Sequence, residues 1–534
     1  MAELDKFVKN SYITKRQFTI YQLLMNRDLT IKDIAKKLGV TENTIYVTRR
    51  KFHNILDRAT RTLEVASELG VVDKERIKGI LIEKKDSSVP SDAHSVAAET
   101  YVSKAEETGD YTGIISSLNS AIKIYREMLD SISIKYDPEL FADTQKKIGD
   151  AYLQVSYHQH TAKNCKDAIK AYNEALKVYT LESFPTKYAS IQSSLGHLYR
   201  VLQGWEGWVE NSKKCIEACE EALKVYTLES FPKEYAITHY NLGIGYRALA
   251  WAEDFTENCN KSLKAFEEAL KAKTLESFPK EYAKIQNGFA LTCILLGEER
   301  DRVKNCSLAI KAIEKALTIF NLEKDQYWIM WTQLGLAEAY TILAEEEDRV
   351  VNCNKAIKAC EEVLQTANPE SFDMAYTSAQ IDLAMAYKLL AKAENKVENC
   401  GRAIKACEEG IKIGSFESPL VGYPRAHRIL GDAYTILAEE ENKKENCNKA
   451  LTLYNEALKA FAFEVFPKDY AKTQNSLGAT YRLLAEVEDK AENCNRALKA
   501  YEEALKVLTK EEHPEIYPRV KRDLKELTNF CADQ

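Results

Sequence analysis

Histidine, cysteine and carboxylate clusters are the first places to look for chemistry in this 534-residue chain. His158-x-His160-x4-Cys165, with Cys215-x3-Cys219 further on, has the residue types of a zinc site. Cys165, however, falls on a 47-residue grid that puts it between the two helices of its own unit, so it reads as a structural thiol. Runs such as Glu345-Glu346-Glu347-Asp348 read as solvated charge at helix ends rather than as catalytic carboxylates. No Gly-rich phosphate loop, HExxH motif or paired CxxC is present. The expectation is a chain that is not an enzyme and takes no cofactor or metal.

Composition narrows the class further. With 45% hydrophobic and 29% charged residues the chain is an ordinary folded protein. No apolar run approaches the roughly 18 residues needed to cross a bilayer, and MAELDKFVKNSYITKRQF has no apolar signal core. A cytoplasmic protein with no membrane partner is expected. Residues 1–90 hold 18 Lys/Arg and 12 Asp/Glu, whereas the remainder holds 56 and 69. A basic head on an acidic body suggests that any polyanion meets the head. Thirteen cysteines, an odd number in a long chain, are expected to be reduced and buried.

The elements come from the repeat. Cys165, Cys259, Cys306, Cys353, Cys400, Cys447 and Cys494 share one 47-residue grid, with Ser212 in the single missing slot, and an asparagine precedes each cysteine. Tyr188, Tyr235, Tyr282, Tyr376, Tyr423, Tyr470 and Tyr517 mark another phase. Each unit reads as two amphipathic helices, for example YAKTQNSLGATYRLLAEV and AENCNRALKAYEEALKVL, with TLESFPKEY-like connectors that stop one helix and start the next. Small residues recur where helices must cross: Gly149, Gly196, Gly243, Ala290, Ala337, Ala384, Gly431 and Gly478 in the first helix, Ala168 to Ala497 in the second. The tyrosine three residues after the first-helix Gly or Ala is expected to fill the gap beside it.

The Leu-Gly-x2-Tyr pattern, followed by Ala sixteen residues later, resembles a tetratricopeptide repeat (TPR), and the long second helix resembles the kinesin-light-chain variety. The resemblance implies an all-α, right-handed superhelical solenoid of about nine helix pairs over residues 93–516, closed by a capping helix over 517–534. It also implies a concave wall made of first helices, with a peptide or protein as partner. Groove positions are then Lys146, Tyr240, Asn287, Leu334, Ile381, Arg428 and Asn475, two before the repeat's Leu. Two after it stand His197, Ile244, Leu291, Glu338 and Met385, and one turn on Arg200, Arg247, Lys388 and Arg482, with Trp331 nearby. A central apolar stretch flanked by basic and amide groups suits a peptide with apolar anchors and carboxylates.

The head, residues 1–70, carries Ile31-Lys-Asp-Ile34-Ala35-Lys-Lys-Leu38-Gly39-Val40-Thr41-Glu-Asn-Thr-Ile45. Ala35 is small where helices cross, Gly39 suits a left-handed turn, and Thr41 is a natural N-cap. The segment resembles the helix-turn-helix readers of sigma factors and repressors, which implies binding to double-stranded DNA. Asn43 and Arg50 are placed for base edges; Arg49 and Lys51 for phosphates; Thr41, Thr44, Tyr46, Lys36 and Lys37 complete the surface. Residues 71–92 are expected to be a connector, and the helical pattern from Lys51 to Leu69 suits either a homodimer seam or packing onto the solenoid. Two functions fit: a DNA-binding transcriptional regulator with a peptide-sensing solenoid, or a scaffold that uses the head for docking.

Overall fold

The computed structural model describes residues 36–38, 91–107, 111–135, 137–159, 162–272, 278–413, 422–461, 466–510 and 516–532. Lys36 and Lys37 are helical and exposed; Thr41, Asn43, Thr44, Tyr46, Arg49, Arg50 and Lys51 lie outside the described residues. The chain divides into two compact units, Met1–His94 and Ser95–Gln534, and the repeats occupy the second.

The regular elements described there are helices only. They begin with α1 (Ser91–Glu107), α2 (Tyr111–Ser131), α3 (Pro138–His158), α4 (Ala162–Leu176), α5 (Pro185–Leu202) and α6 (Trp208–Leu223). Next come α7 (Pro232–Leu249), α8 (Phe255–Leu270), α9 (Pro279–Gly297), α10 (Arg302–Leu322), α11 (Gln326–Leu343) and α12 (Arg349–Thr366). The last are α13 (Asp373–Ala391), α14 (Lys396–Ile413), α15 (Gly422–Ala438), α16 (Lys443–Ala460), α17 (Pro467–Leu484), α18 (Lys490–Val507) and α19 (Tyr517–Ala532). From α3 onward each odd helix packs most heavily on the even helix after it. Successive odd helices also touch one another, from α5 on α7 through to α15 on α17, more than successive even helices do. That asymmetry is what a curved stack produces on its inner side.

The two turns of each unit are fixed by different residues. Proline opens α3, α5, α7, α9 and α17, where its missing N–H leaves one fewer orphan donor. Between the helices of a pair the chain passes through a left-handed residue: Gly207, Asp254, Asp301, Asp348, Asn395, Asn442 and Asp489, all with φ between 37° and 51°. These are the residue types that tolerate that region. Four residues on, the asparagine of each Asn-Cys pair donates from Nδ2 to the carbonyl five residues back, as Asn352 does to Glu347 at 2.8 Å. Asn258, Asn305, Asn399, Asn446 and Asn493 repeat the bond at 2.7–2.9 Å. Asn352 is buried, so Asn352→Ala leaves a carbonyl unpaired, and about 1–2 kcal/mol of stability should go, read as a lower urea midpoint.

Packing revises one expectation. The ring that fills the space beside the first-helix glycine comes from the second helix: a Cβ on Gly149, Gly243, Gly431 or Gly478 would meet Tyr172, Phe266, Tyr454 or Tyr501 at 2.6–2.9 Å. The tyrosines three residues after the small position are half-buried, packed against the core with a cation over the ring. Lys214 stands over Tyr199, Lys261 over Tyr246, Lys355 over Tyr340, Arg402 over Tyr387, Lys449 over Tyr434 and Arg496 over Tyr481, at 5.0–5.8 Å. Gly431 allows a sharp test, because the Tyr454 hydroxyl is pinned 2.9 Å from Asp432 and cannot yield. Gly431→Ala gains about 1 kcal/mol of helix propensity and meets overpacking of about 1–3 kcal/mol. A net loss of thermal stability is expected; an unchanged or higher melting temperature would refute the clash.

Eleven free cysteines are buried among the described residues. Burial pushes the Cys306 thiol up to about 12 and those of Cys353, Cys400 and Cys447 to about 11, as inert core groups require. The exception corrects the all-reduced expectation. Cys494 of the grid is disulfide-bonded to Cys531, tying the capping helix α19 to α18. The grid spacing alone hid this pair, since Cys531 stands off the grid. The Glu-rich run is exposed, as expected, and two of its members are paired: Arg302, almost wholly buried, lies 3.0 Å from Glu345 and 2.6 Å from Glu346.

Candidate ligand-binding lumen

The concave wall is one helical stripe, seen whole in α7, where Lys233, Ile237, Tyr240, Ile244 and Arg247 follow each other at three- and four-residue spacing and all face a cavity. This first chamber holds about 1570 Å³. His197 and Arg200 of α5 and Lys284 of α9 also line it, with Tyr327 and Trp328 of α11 and the start of α17. A second chamber of about 470 Å³ is lined by Glu338, Asp382, Met385, Lys388, Arg425, Arg428, Asp432 and Asn475, among others.

A contact across 170 residues links their walls. Lys468, at the start of α17, reaches the end of α9: its Nζ lies 2.5 Å from Glu298 and also contacts the buried Glu299. Lys472, one turn on, lies 3.7 Å from Glu298. Glu299 and Lys468 face the first chamber, Glu298 and Lys472 the second, so this ionic latch lies where the two meet. Burial disfavours the charges, but Lys468 and Lys472 hold the Glu298 carboxyl below its ordinary range, and Glu298 and Glu299 hold the Lys468 ammonium above its own.

The chambers differ in how their charges are met. In the second, Lys388 pairs with Asp432 at 3.0 Å, Arg428 with Asp432 at 3.7 Å, and Arg425 with Asp382 at 3.3 Å and Glu338 at 3.9 Å. Despite burial, Lys388 and Arg428 pull Asp432 down to about 2. Glu338 goes the other way. Burial pushes it up to about 7, with Asp382 and Glu298 adding to Arg425's inability to satisfy two carboxylates. In the first chamber Arg200, Arg247 and Lys284 make no ion pair among the described residues. Arg200 donates from Nε to Asn241 Oδ1 at 3.0 Å and lies 3.2 Å from His197 Nδ1; Arg247 donates to the Gly288 carbonyl at 3.2 Å. Burial, with Arg200 and Lys284 adding, drives His197 down to about 3.

The expected groove residues divide accordingly. His197, Arg200, Tyr240, Ile244 and Arg247 line the first chamber; Glu338, Met385, Lys388, Arg428 and Asn475 line the second. Leu334 and Ile381 do neither. Both are buried in seams between helices, clustered with Met330 and Val363 and with Ala384 and Ile429 respectively, so these two members of the expected central apolar stretch do not face either chamber. Asn287 is buried in α9, Leu291 and Trp331 are partly buried in packing, Lys146 pairs with Asp150, and Arg482 lies over the Phe530 ring of the cap. Lining residues the sequence reading missed are Lys284, Arg425 and Lys472, all five positions before the repeat's Leu. The signal was there: the same stripe runs one turn earlier. His158 packs on the Tyr111 ring, and no group of three metal-ligating side chains occurs among the described residues.

The architecture is a TPR-like helical solenoid. No family model and no curated protein matches the chain. Solved structures do. The apo form of the quorum sensor NprR from B. thuringiensis is 16% identical over 71% of this chain and 97% of that one, with a TM-score of 0.41. The human IFIT1 dimer with PPP-AAAA is 17% identical over 78% and 95%, with a TM-score of 0.32. Yeast Tom70 is 14% identical over 82% and 97%, with a TM-score of 0.22. Among the described residues no helix is long and apolar enough to cross a membrane.

Proposed function

We propose that this chain is a non-enzymatic DNA-binding transcriptional regulator whose solenoid receives a peptide or protein in its lumen. The observation that carries the solenoid half is the first chamber: a recessed, aromatic-walled space in which, among the described residues, Arg200, Arg247 and Lys284 have no carboxylate within ion-pair distance and the buried Asn241 Nδ2 and Gln203 Nε2 have no acceptor. A structural core satisfies such groups internally; a recognition site leaves them for its ligand. The helix-turn-helix pattern around Gly39 carries the other half, with Asn43 and Arg50 reading bases and Arg49 and Lys51 holding phosphates.

Occupancy of the lumen would alter operator affinity by favouring one curvature of the solenoid over another. In an electrophoretic shift of the full chain on genomic DNA fragments at low salt, Arg49→Ala with Arg50→Ala should abolish retention. No shift by the unaltered chain would remove the DNA half. A scaffold reading is also supported, because both chambers lie wholly within Ser95–Gln534 and capture needs nothing from the head. Under it, partner recovery in a pull-down from native extract survives nuclease and the two arginine changes alike, and no DNA is retained.

A further inference from the structure

We propose that the cap helix α19 is a redox-locked lid on the second chamber, with the Cys494–Cys531 disulfide as its bolt. A dithiol reductant unlocks it.

The lid is part of that chamber's wall. Ile516, Arg519, Val520, Arg522 and Asp523 all face the cavity. Arg519 lies 3.5 Å from Glu345, just past the end of α11, so the cap meets a unit far from its own in sequence. Burial disfavours the Glu345 carboxylate, but Arg302 and Arg519 hold it below its ordinary range.

The hold of α19 on the solenoid is otherwise thin. Of its 16 residues only Val520 and Leu527 are buried, in one cluster with Tyr501, Ala504 and Leu508. Leu524 and Cys531 are partly buried beside them. Lys490 and Arg482 add weak contacts over the Phe530 ring, at 4.8 and 6.0 Å. A helix of this length takes its stability from packing rather than from its own backbone. Two buried side chains are little packing, which leaves the disulfide to keep the helix in place.

The bolt replaces a residue that would have packed. Counted 47 on from Leu484, Cys531 stands in the slot that Leu202, Leu249, Leu296, Leu343, Leu390 and Leu484 fill, all of them buried. The cap therefore gives up the leucine of the earlier first helices and gains a sulfur that can be made or broken. Its partner is a grid cysteine whose fellows at Cys306, Cys353, Cys400 and Cys447 are free, buried and held as thiols by that burial. Exchange is thus confined to the end of the chain, where Cys531 keeps some solvent access and Cys494 has almost none.

The step is ordinary thiol–disulfide exchange. A thiolate of the reductant attacks Cys531 Sγ and the S–S bond breaks. Its electron pair leaves on Cys494 Sγ, which takes a proton. The second thiol of the reductant then displaces Cys531, which leaves as a thiol. Two electrons and two protons pass to the protein, and the dithiol becomes a disulfide. With the bolt drawn, the second chamber opens along the wall that Arg519 and Asp523 form.

The test uses the full chain, oxidised or treated with dithiothreitol, and reads hydrogen exchange and lysine acetylation by mass spectrometry. A peptide cross-linked through Cys494 and Cys531 should be present before reduction and absent after it. On reduction the amides of 517–532 should exchange at least about tenfold faster, while those of α3 to α8 keep their rates. Lys388, buried in the wall of the second chamber, should acetylate faster, and Lys284 of the first chamber should not change. Cys531→Ser should match the reduced chain with no reductant present. Cys531→Leu, which restores the residue of the earlier helices, should keep α19 protected with or without reductant. The lock falls if no cross-linked peptide is found, if α19 exchanges at one rate in both states, or if loosening spreads through α3 to α8. The lid falls if α19 loosens while Lys388 keeps its rate.

Discussion

Lys468→Met is expected to lower stability by about 3 kcal/mol at pH 7, because it removes the ammonium that meets two carboxylates at once. Breaking one side of a buried ion pair typically costs ~3–5 kcal/mol. The lower end applies because Glu298 keeps some solvent contact while Glu299 has almost none. The loss should carry a pH signature. Glu298 titrates below its unfolded value, so its contribution is present above the ordinary carboxylate range and fades as the pH falls through the folded value. Unaltered and variant chains should therefore converge as the pH drops below about 4. Small-angle scattering adds a second readout, since the latch joins the end of α9 to the start of α17 and its loss should enlarge the radius of gyration. A variant with unchanged dimensions and urea midpoint would show that the latch holds nothing.

Glu338→Gln should do the opposite. Glu338 shares Arg425 with Asp382, and burial pushes its carboxyl up to about 7. The folded chain thus holds a proton that the unfolded chain releases near 4.5. Stability is fully present below that value and is lost as the pH rises toward 7. A glutamine keeps the neutral shape at every pH. At pH 8 the variant should be more stable by about 2 kcal/mol, and at pH 4 the two should coincide. Parallel melting-temperature profiles across that range would exclude the titration.

Much of this molecule is written locally. The 47-residue period, the proline-opened first helices, the left-handed Asp or Asn and the asparagine that braces it all depend on neighbours within a few residues, and their spacing is visible in the chain. Half of the lumen stripe was visible as well. Leu334 and Ile381 share a phase with Tyr240 yet are buried, because phase sets the direction of a side chain but not how closely the next helix approaches. The latch had no local signature. Lys468 and Glu298 are ordinary surface-type residues until the curvature summed over four units brings them together. The Cys494–Cys531 bond was hidden for a related reason: its second half belongs to the cap, where the repeat has ended.

That ring-like closure makes the number of modules a fixed quantity. An open spiral tolerates the gain or loss of one unit, since each interface is the same as the last. Here the fifth and ninth pairs must arrive opposite one another, and removing a single unit between them would present Lys468 with a different stretch of wall. The lock therefore acts as a tally, holding the length of the spiral where every other contact would let it drift.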